Sequence, residues 1–126
     1  MVPTLLLVED DPTMRMFLER FLQEDYRLRS AGTGQQALDA FADAVPDVLV
    51  LDLGLPDQSG HDVLTALHDQ YNMDRTDILV LSGDESREAS VRSLRLGADD
   101  YLAKPFNPEE LRLRLHRLQE RSSSAT

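Results

Sequence analysis

Apolar residues fall in short unbroken runs at Thr4–Val8, Asp47–Leu51 and Asp77–Ser82. None of the three alternates strictly with polar positions, which is the pattern of strands covered on both faces. Leu28–Ala31 and Asp100–Leu102 are weaker runs of the same kind. Between the runs, apolar positions recur at steps of three and four, the spacing of one helical face. Met14, Phe17, Leu18, Phe21 and Leu22 form one such stripe, and Ala37, Leu38, Phe41 and Ala42 a second. Val63, Leu64 and Leu67 form a third, Val91 with Leu94 a fourth, and Leu111, Leu115 and Leu118 a fifth.

The residues before these stripes are helix starters. Asp11 precedes Pro12, a cap followed by proline at the first helical position. Thr33 with Gln36 makes a capping-box pattern. Asn107-Pro108-Glu109-Glu110 supplies cap, proline and first-turn acids, and Gly97 stands where a glycine ends a helix. Strands and helices therefore alternate five times, which predicts an α/β domain, a doubly wound parallel sheet with helices on both faces. Right-handed crossovers leave few topologies, and the commonest five-stranded order is 2-1-3-4-5. The chain has no internal repeat. One domain is expected over residues 1–121, followed by a polar tail, 122–126, read as disordered and as a linker stub or chain end.

Composition narrows the function. A chain of 126 residues suits one compact domain. It lacks cysteine, which excludes disulfide frameworks and thiolate metal sites. Thirteen basic against 23 acidic residues give a formal charge of −10, unsuited to direct nucleic-acid binding, which needs a basic footprint. The single N-terminal apolar run, Leu5 to Val8, is too short for a signal peptide or a membrane span. A soluble, cytoplasmic protein is expected, with no membrane contact.

In an open parallel sheet, function collects at the carboxyl ends of the strands, near the point where strand order reverses. Strand one ends at Glu9-Asp10, strand three at Asp52 and strand four at Ser82, and Lys104 follows strand five. Taken singly these are bland: Asp52 reads as a turn or cap residue, Ser82 as a turn former, Lys104 as surface. In the predicted strand order they fall on four neighbouring strand ends. Three carboxylates and one ammonium leave surplus negative charge, and carboxylates that close take up protons unless a cation sits among them. All-oxygen ligands with room for water and phosphate oxygens suit Mg²⁺. An Asp carboxylate can form an acyl phosphate, and the lysine and hydroxyl can hold phosphate oxygens.

In these residues the chain resembles the receiver domains of two-component response regulators, which share the flavodoxin-like fold of the chemotaxis receiver. Asp52-Leu53-Gly54-Leu55-Pro56-Asp57 with Gly60 is similar to the family's phosphoacceptor loop. Ser82 follows Asp52 by 30 residues and Lys104 by 52, the family's spacing, and Gly97-Ala98-Asp99-Asp100-Tyr101 and Lys104-Pro105-Phe106 complete the pattern. The likeness runs from about Thr4 to Arg121. It implies that Asp52 accepts a phosphoryl group from a histidine kinase or histidine phosphotransfer protein. It implies that Asp10, Asp52 and the Gly54 backbone carbonyl bind Mg²⁺, with Glu9 acting through water. Ser82 and Tyr101 become a switch pair, Gly83 leaves room for their rearrangement, and the Lys104-Pro105 bond is cis. The output face is helix 4, strand 5 and helix 5, acting on a downstream protein or output domain. Such a domain is a switch rather than an enzyme. Gly54 offers no side chain to the attacking water, and Ser82 replaces the commoner threonine, so both bear on phosphate lifetime.

Rival readings are a flavodoxin-type flavin binder, an aspartyl-phosphate phosphatase and a receiver-like scaffold that takes no phosphate. Glu9-Asp10-Asp11 would repel a flavin phosphate. Gly54 stands where the phosphatase needs a second acid, and the complete acid, hydroxyl and lysine set argues against the scaffold. The domain can equally be the regulatory half of a DNA-binding transcription factor. Asp99, Asp100, Arg114 and Arg121 are similar to charges that winged-helix regulators use to pair into phosphorylation-dependent homodimers, whereas Ser90, Leu96 and His116 depart from that set. Tyr101 also reads as a core tyrosine with its hydroxyl outward. His61, His68 and His116 share no ligand spacing and read as surface residues.

Overall fold

The computed structural model describes residues 2–84 and 86–124, the last three by backbone alone. The elements are β1 (Thr4–Val8), α1 (Pro12–Leu22), β2 (Arg27–Ala31), α2 (Gly34–Asp43), β3 (Val48–Asp52), α3 (Gly60–Gln70), β4 (Asp77–Ser82), α4 (Arg87–Arg95), β5 (Asp100–Ala103) and α5 (Pro108–Ser124). The strands form one parallel sheet in the order β2-β1-β3-β4-β5, as the alternation predicts.

The two-sided strands explain why no alternation is visible. Leu6, Val8, Leu49, Leu51, Ile78 and Val80 point to one face, where they meet Ala37 and Phe41 of α2 and Val63, Leu64 and Leu67 of α3. Leu5, Leu7, Val48, Val50, Leu79 and Leu81 point to the other, against Leu18 and Leu22 of α1 and Leu111, Leu115 and Leu118 of α5. Burying each Leu, Ile or Val contributes roughly 1.5–3 kcal/mol, so neither face of the sheet can be polar.

The caps form as predicted. Asp11 accepts from the Thr13 amide, Thr33 from Gln36 and Asn107 from Glu109. The reciprocal capping-box bond is displaced by one residue, because the Gln36 side chain accepts from the Gly32 amide at 2.8 Å. Gly97 ends α4 with φ +104°, a conformation that L side chains rarely adopt.

Two apolar stripes differ from expectation. Phe17 is 48% exposed and stacks on Phe21, while Leu18 and Leu22 carry the burial of α1. On α4, Val91 and Leu94 are 37% and 49% exposed, and Ser93 is buried instead. The helix is rotated so that its serine meets a polar partner, His61, on α3. His61 is thus a buried residue, not a surface one. At the carboxyl terminus α5 continues through Ser124, into the segment read as a tail, and residues 125 and 126 lie outside the described residues.

Candidate functional site

Strand register aligns the predicted residues along one sheet edge. Val8 pairs with Leu51, Asp52 with Leu81 and Ser82 with Ala103, so Glu9, Asp52, Ser82 and Lys104 all leave the sheet at the same end. Lys104 reaches across from the β5 edge, its Nζ 3.0 Å from Asp52 Oδ2 and 2.9 Å from Glu9 Oε1. The Gly54 amide donates to Asp52 Oδ1 at 3.1 Å. Carboxylate oxygens of Glu9, Asp10 and Asp52 lie within 4.8 Å of one another, a group able to hold a metal ion. Asp10 is exposed, Asp52 is buried, and Glu9 is fully buried with its Oε2 unpartnered. The site opens into a cleft of about 740 Å³ that includes Asp10, Gly54 and Ser82. A larger groove, about 1260 Å³, lies at the opposite strand ends among residues such as Asp74, Arg75 and Arg117 and lacks any such constellation.

Charge is divided unequally within the cluster. Burial pushes Glu9 up to about 7, and the neighbouring Asp52 carboxylate adds to the rise, against the pull of Lys104. Burial also acts to raise Asp52, but the adjacent Glu9 carboxyl and the hydrogen bonds from the Gly54 amide and Lys104 outweigh it and hold this carboxyl below its ordinary value. Lys104 is lowered by burial and raised more strongly by its two carboxylate partners, so it stays charged. With a value near 7, Glu9 gains and loses its proton around neutral pH, whereas Asp52 stays the anion.

Ser82 and Tyr101 make their hydrogen bonds away from Asp52. Both meet Asp84 in the loop before α4: Ser82 Oγ accepts from the Asp84 amide at 3.0 Å, and the Tyr101 hydroxyl donates to the Asp84 carbonyl. The Lys104-Pro105 bond is cis. Arg114 pairs within its own chain with Asp100 and Glu110, at 2.9 and 3.1 Å.

Three contributors escape a reading of the sequence. Arg15 donates to the Glu9 carbonyl at 2.8 Å and braces the acid pair from α1. Asp57 accepts from the Gly34 and Gln35 amides, at 2.8 and 2.9 Å, and so ties the loop after Asp52 to the first turn of α2. Those two amides hold Asp57 below the usual carboxylate range. His61 is the third, and a signal for it exists: it lies three residues before Leu64, on the buried stripe of α3.

A doubly wound sheet presenting acids, hydroxyl and ammonium on four adjacent strand ends is the architecture of a regulatory switch domain. The sequence profile of the response regulator receiver domain matches residues 5–116, and the chain belongs to that family. The family's members are generally regulatory switches rather than true enzymes. The chain is 39% identical over 118 residues to the cell cycle response regulator CtrA of Brucella ovis, covering 93% of this chain and 50% of CtrA. The response regulator DrrB of Thermotoga maritima, an OmpR/PhoB homolog, is 31% identical with a TM-score of 0.86, over 96% of this chain and 54% of DrrB. A CheY-like receiver domain protein of Methanospirillum hungatei is 26% identical with a TM-score of 0.92, over the full length of both chains. The chain thus spans about half the length of the curated relatives it matches. Among the described residues no helix is long and apolar enough to cross a membrane.

Proposed function

We propose that the chain is a phosphoryl-accepting switch. Asp52 takes the phosphoryl group from a histidine kinase or histidine phosphotransfer protein, and the α4–β5–α5 face then changes what it offers a downstream protein or output domain. The observation that carries this reading is the ion pair of Lys104 with both Asp52 and Glu9 beside Asp10.

The residues fit a magnesium ion. Three clustered carboxylates against one ammonium leave negative charge uncompensated, and Glu9 Oε2 is a buried oxygen without a partner. Asp10, Asp52 and the Gly54 carbonyl would hold Mg²⁺, with Glu9 behind them. When bound, the ion supplies positive charge that offsets the negative charge on the transferring group. An Asp52 oxygen forms the new bond to phosphorus as the donor's phosphorus–nitrogen bond breaks, and the leaving imidazole regains a proton from solvent. Lys104 donates to a phosphoryl oxygen. Ser82 Oγ turns from the Asp84 amide to do the same, and Tyr101 loses the geometry of its bond to the same residue. Incubation with Mg²⁺ and a small acyl phosphate should add one phosphoryl group by intact mass, mapped by peptide to Asp52 and lost when EDTA replaces Mg²⁺. Absence of the adduct with Mg²⁺ present, or a label elsewhere, removes this reading.

The proton on Glu9 makes a second prediction. Its folded value, about 7, lies above its ordinary 4.5, so between these values the folded chain holds a proton that the unfolded chain has lost. In EDTA, stability should fall as pH rises through that window, by on the order of 3 kcal/mol. Asp52 is shifted the other way, and its contribution fades only as pH falls below its ordinary 3.8. Mg²⁺ favours ionised Glu9, so the melting temperature gained on adding Mg²⁺ should be larger at about pH 8 than at about pH 5. Equal gains would show that Glu9 does not titrate in the cluster.

The lengths of the relatives favour a second reading of the output: the same switch governs an effector part of a longer regulator, such as a DNA-binding one. Exposed Val91, Leu94 and Leu113 on α4 and α5 support self-pairing through this face. Gel filtration with and without beryllofluoride separates a switched dimer from a lone docking module.

A further inference from the structure

Of the nine residues of α4, Ser93 is the buried one, and its side chain is a hydroxyl. With Val91 and Leu94 exposed, apolar burial does not anchor the middle of this helix. A hydrogen bond does: His61 Nε2 lies 2.7 Å from Ser93 Oγ. Ser93 gives its one hydroxyl hydrogen to the Ala89 carbonyl at 3.0 Å. Toward the imidazole it is therefore an acceptor, and Nε2 carries the proton. His61 is itself fixed to the Asp52 end of β3. The amide of the preceding Gly60 donates to the Leu53 carbonyl at 2.9 Å, and a Cβ on Gly60 would lie 2.8 Å from the Asp52 carbonyl oxygen.

The approach to α4 is held separately, through Asp84, which the Ser82 hydroxyl and the Tyr101 hydroxyl both bind. Ser86 then caps the helix, accepting from the Ala89 amide at 3.1 Å. The helix thus has one hold at its entry, built on the switch residues, and a second at its middle, built on His61. A hydrogen bond is directional and is either made or broken, unlike an apolar contact that tolerates sliding.

We propose that the buried His61–Ser93 hydrogen bond keeps α4 in its resting position and is released when the Asp52 site is occupied, making His61 a positioning residue for the output face. The first half stands on this geometry alone, and the second rests on the phosphoacceptor reading of Asp52. Taking Ser82 Oγ away from Asp84 loosens the entry hold, which leaves the His61–Ser93 bond as the last restraint to break before α4 moves.

Amide hydrogen exchange on the unphosphorylated chain tests the first half. Ser93→Ala and His61→Ala should each speed exchange across Arg87–Arg95 by about tenfold, while α2 and α5 keep their rates. His61→Gln, whose side-chain amide nitrogen reaches a similar place, should restore slow exchange. Unchanged α4 rates in Ser93→Ala, or equal acceleration of every helix, overturn the proposal. Titration with beryllofluoride and Mg²⁺ tests the second half. Ser93→Ala should bind this probe about fivefold more tightly, because its resting state has lost a hold. Failure of the probe to bind the unaltered chain removes the Asp52 reading, whereas equal affinity in both chains removes the coupling alone.

Discussion

Asp52→Asn is expected to take up no phosphoryl group under conditions in which the unaltered chain is fully labelled. Asparagine has the shape of aspartate, so β3 and its register should persist, and circular dichroism should show a folded domain. On the phosphoacceptor reading what is lost is the nucleophile, since an amide oxygen does not form a stable acyl phosphate. The neighbouring acids are poor substitutes. Glu9 is fully buried and carries a raised pKa, and Asp10 is exposed, without the Lys104 and Gly54 contacts that orient Asp52. Intact mass after treatment with acyl phosphate and Mg²⁺ reads the result. A labelled Asn variant would show that another side chain is the acceptor. Mg²⁺ affinity should also fall, because one of three clustered carboxylates has lost its charge.

Gly60→Ala should destabilise the domain by about 3 kcal/mol, enough to leave a marginal domain partly unfolded. An added Cβ would lie 2.7 Å from the Leu53 α-carbon and 2.8 Å from the Asp52 carbonyl oxygen. These are backbone atoms at and just past the end of β3, so relief requires moving either α3 or the end of β3. Urea unfolding measures the loss. Gly83→Ala is the control, because a Cβ there meets nothing within 4 Å, and its stability should change by less than about 0.5 kcal/mol. Similar losses at both positions would show that the close approach does not govern Gly60, since chain entropy alone favours alanine at either site.

The sheet and its active edge were legible because each site residue closes or follows a strand. Once the order 2-1-3-4-5 is inferred from alternation, Glu9, Asp52, Ser82 and Lys104 fall together without further knowledge. The helix faces were less legible where polarity and burial part company. Val91 and Leu94 have the spacing of a core stripe, but α4 turns Ser93 inward because His61 waits 32 residues upstream. Asp57 has the same character. It reads as an ordinary loop acid, and only the fold brings it to the amides of Gly34 and Gln35, more than 20 residues before it. Pattern along a chain reports which face is apolar, and it is silent on polar pairs made across long separations.

The lysine that neutralises the acid pair lies 95 positions after Glu9 and 52 after Asp52. During synthesis the acids therefore emerge well ahead of their counter-charge, and a nascent chain that has built only its first three strands holds an uncompensated anionic edge. Until the fifth strand docks, that edge lacks the ammonium that pairs with Glu9 and Asp52.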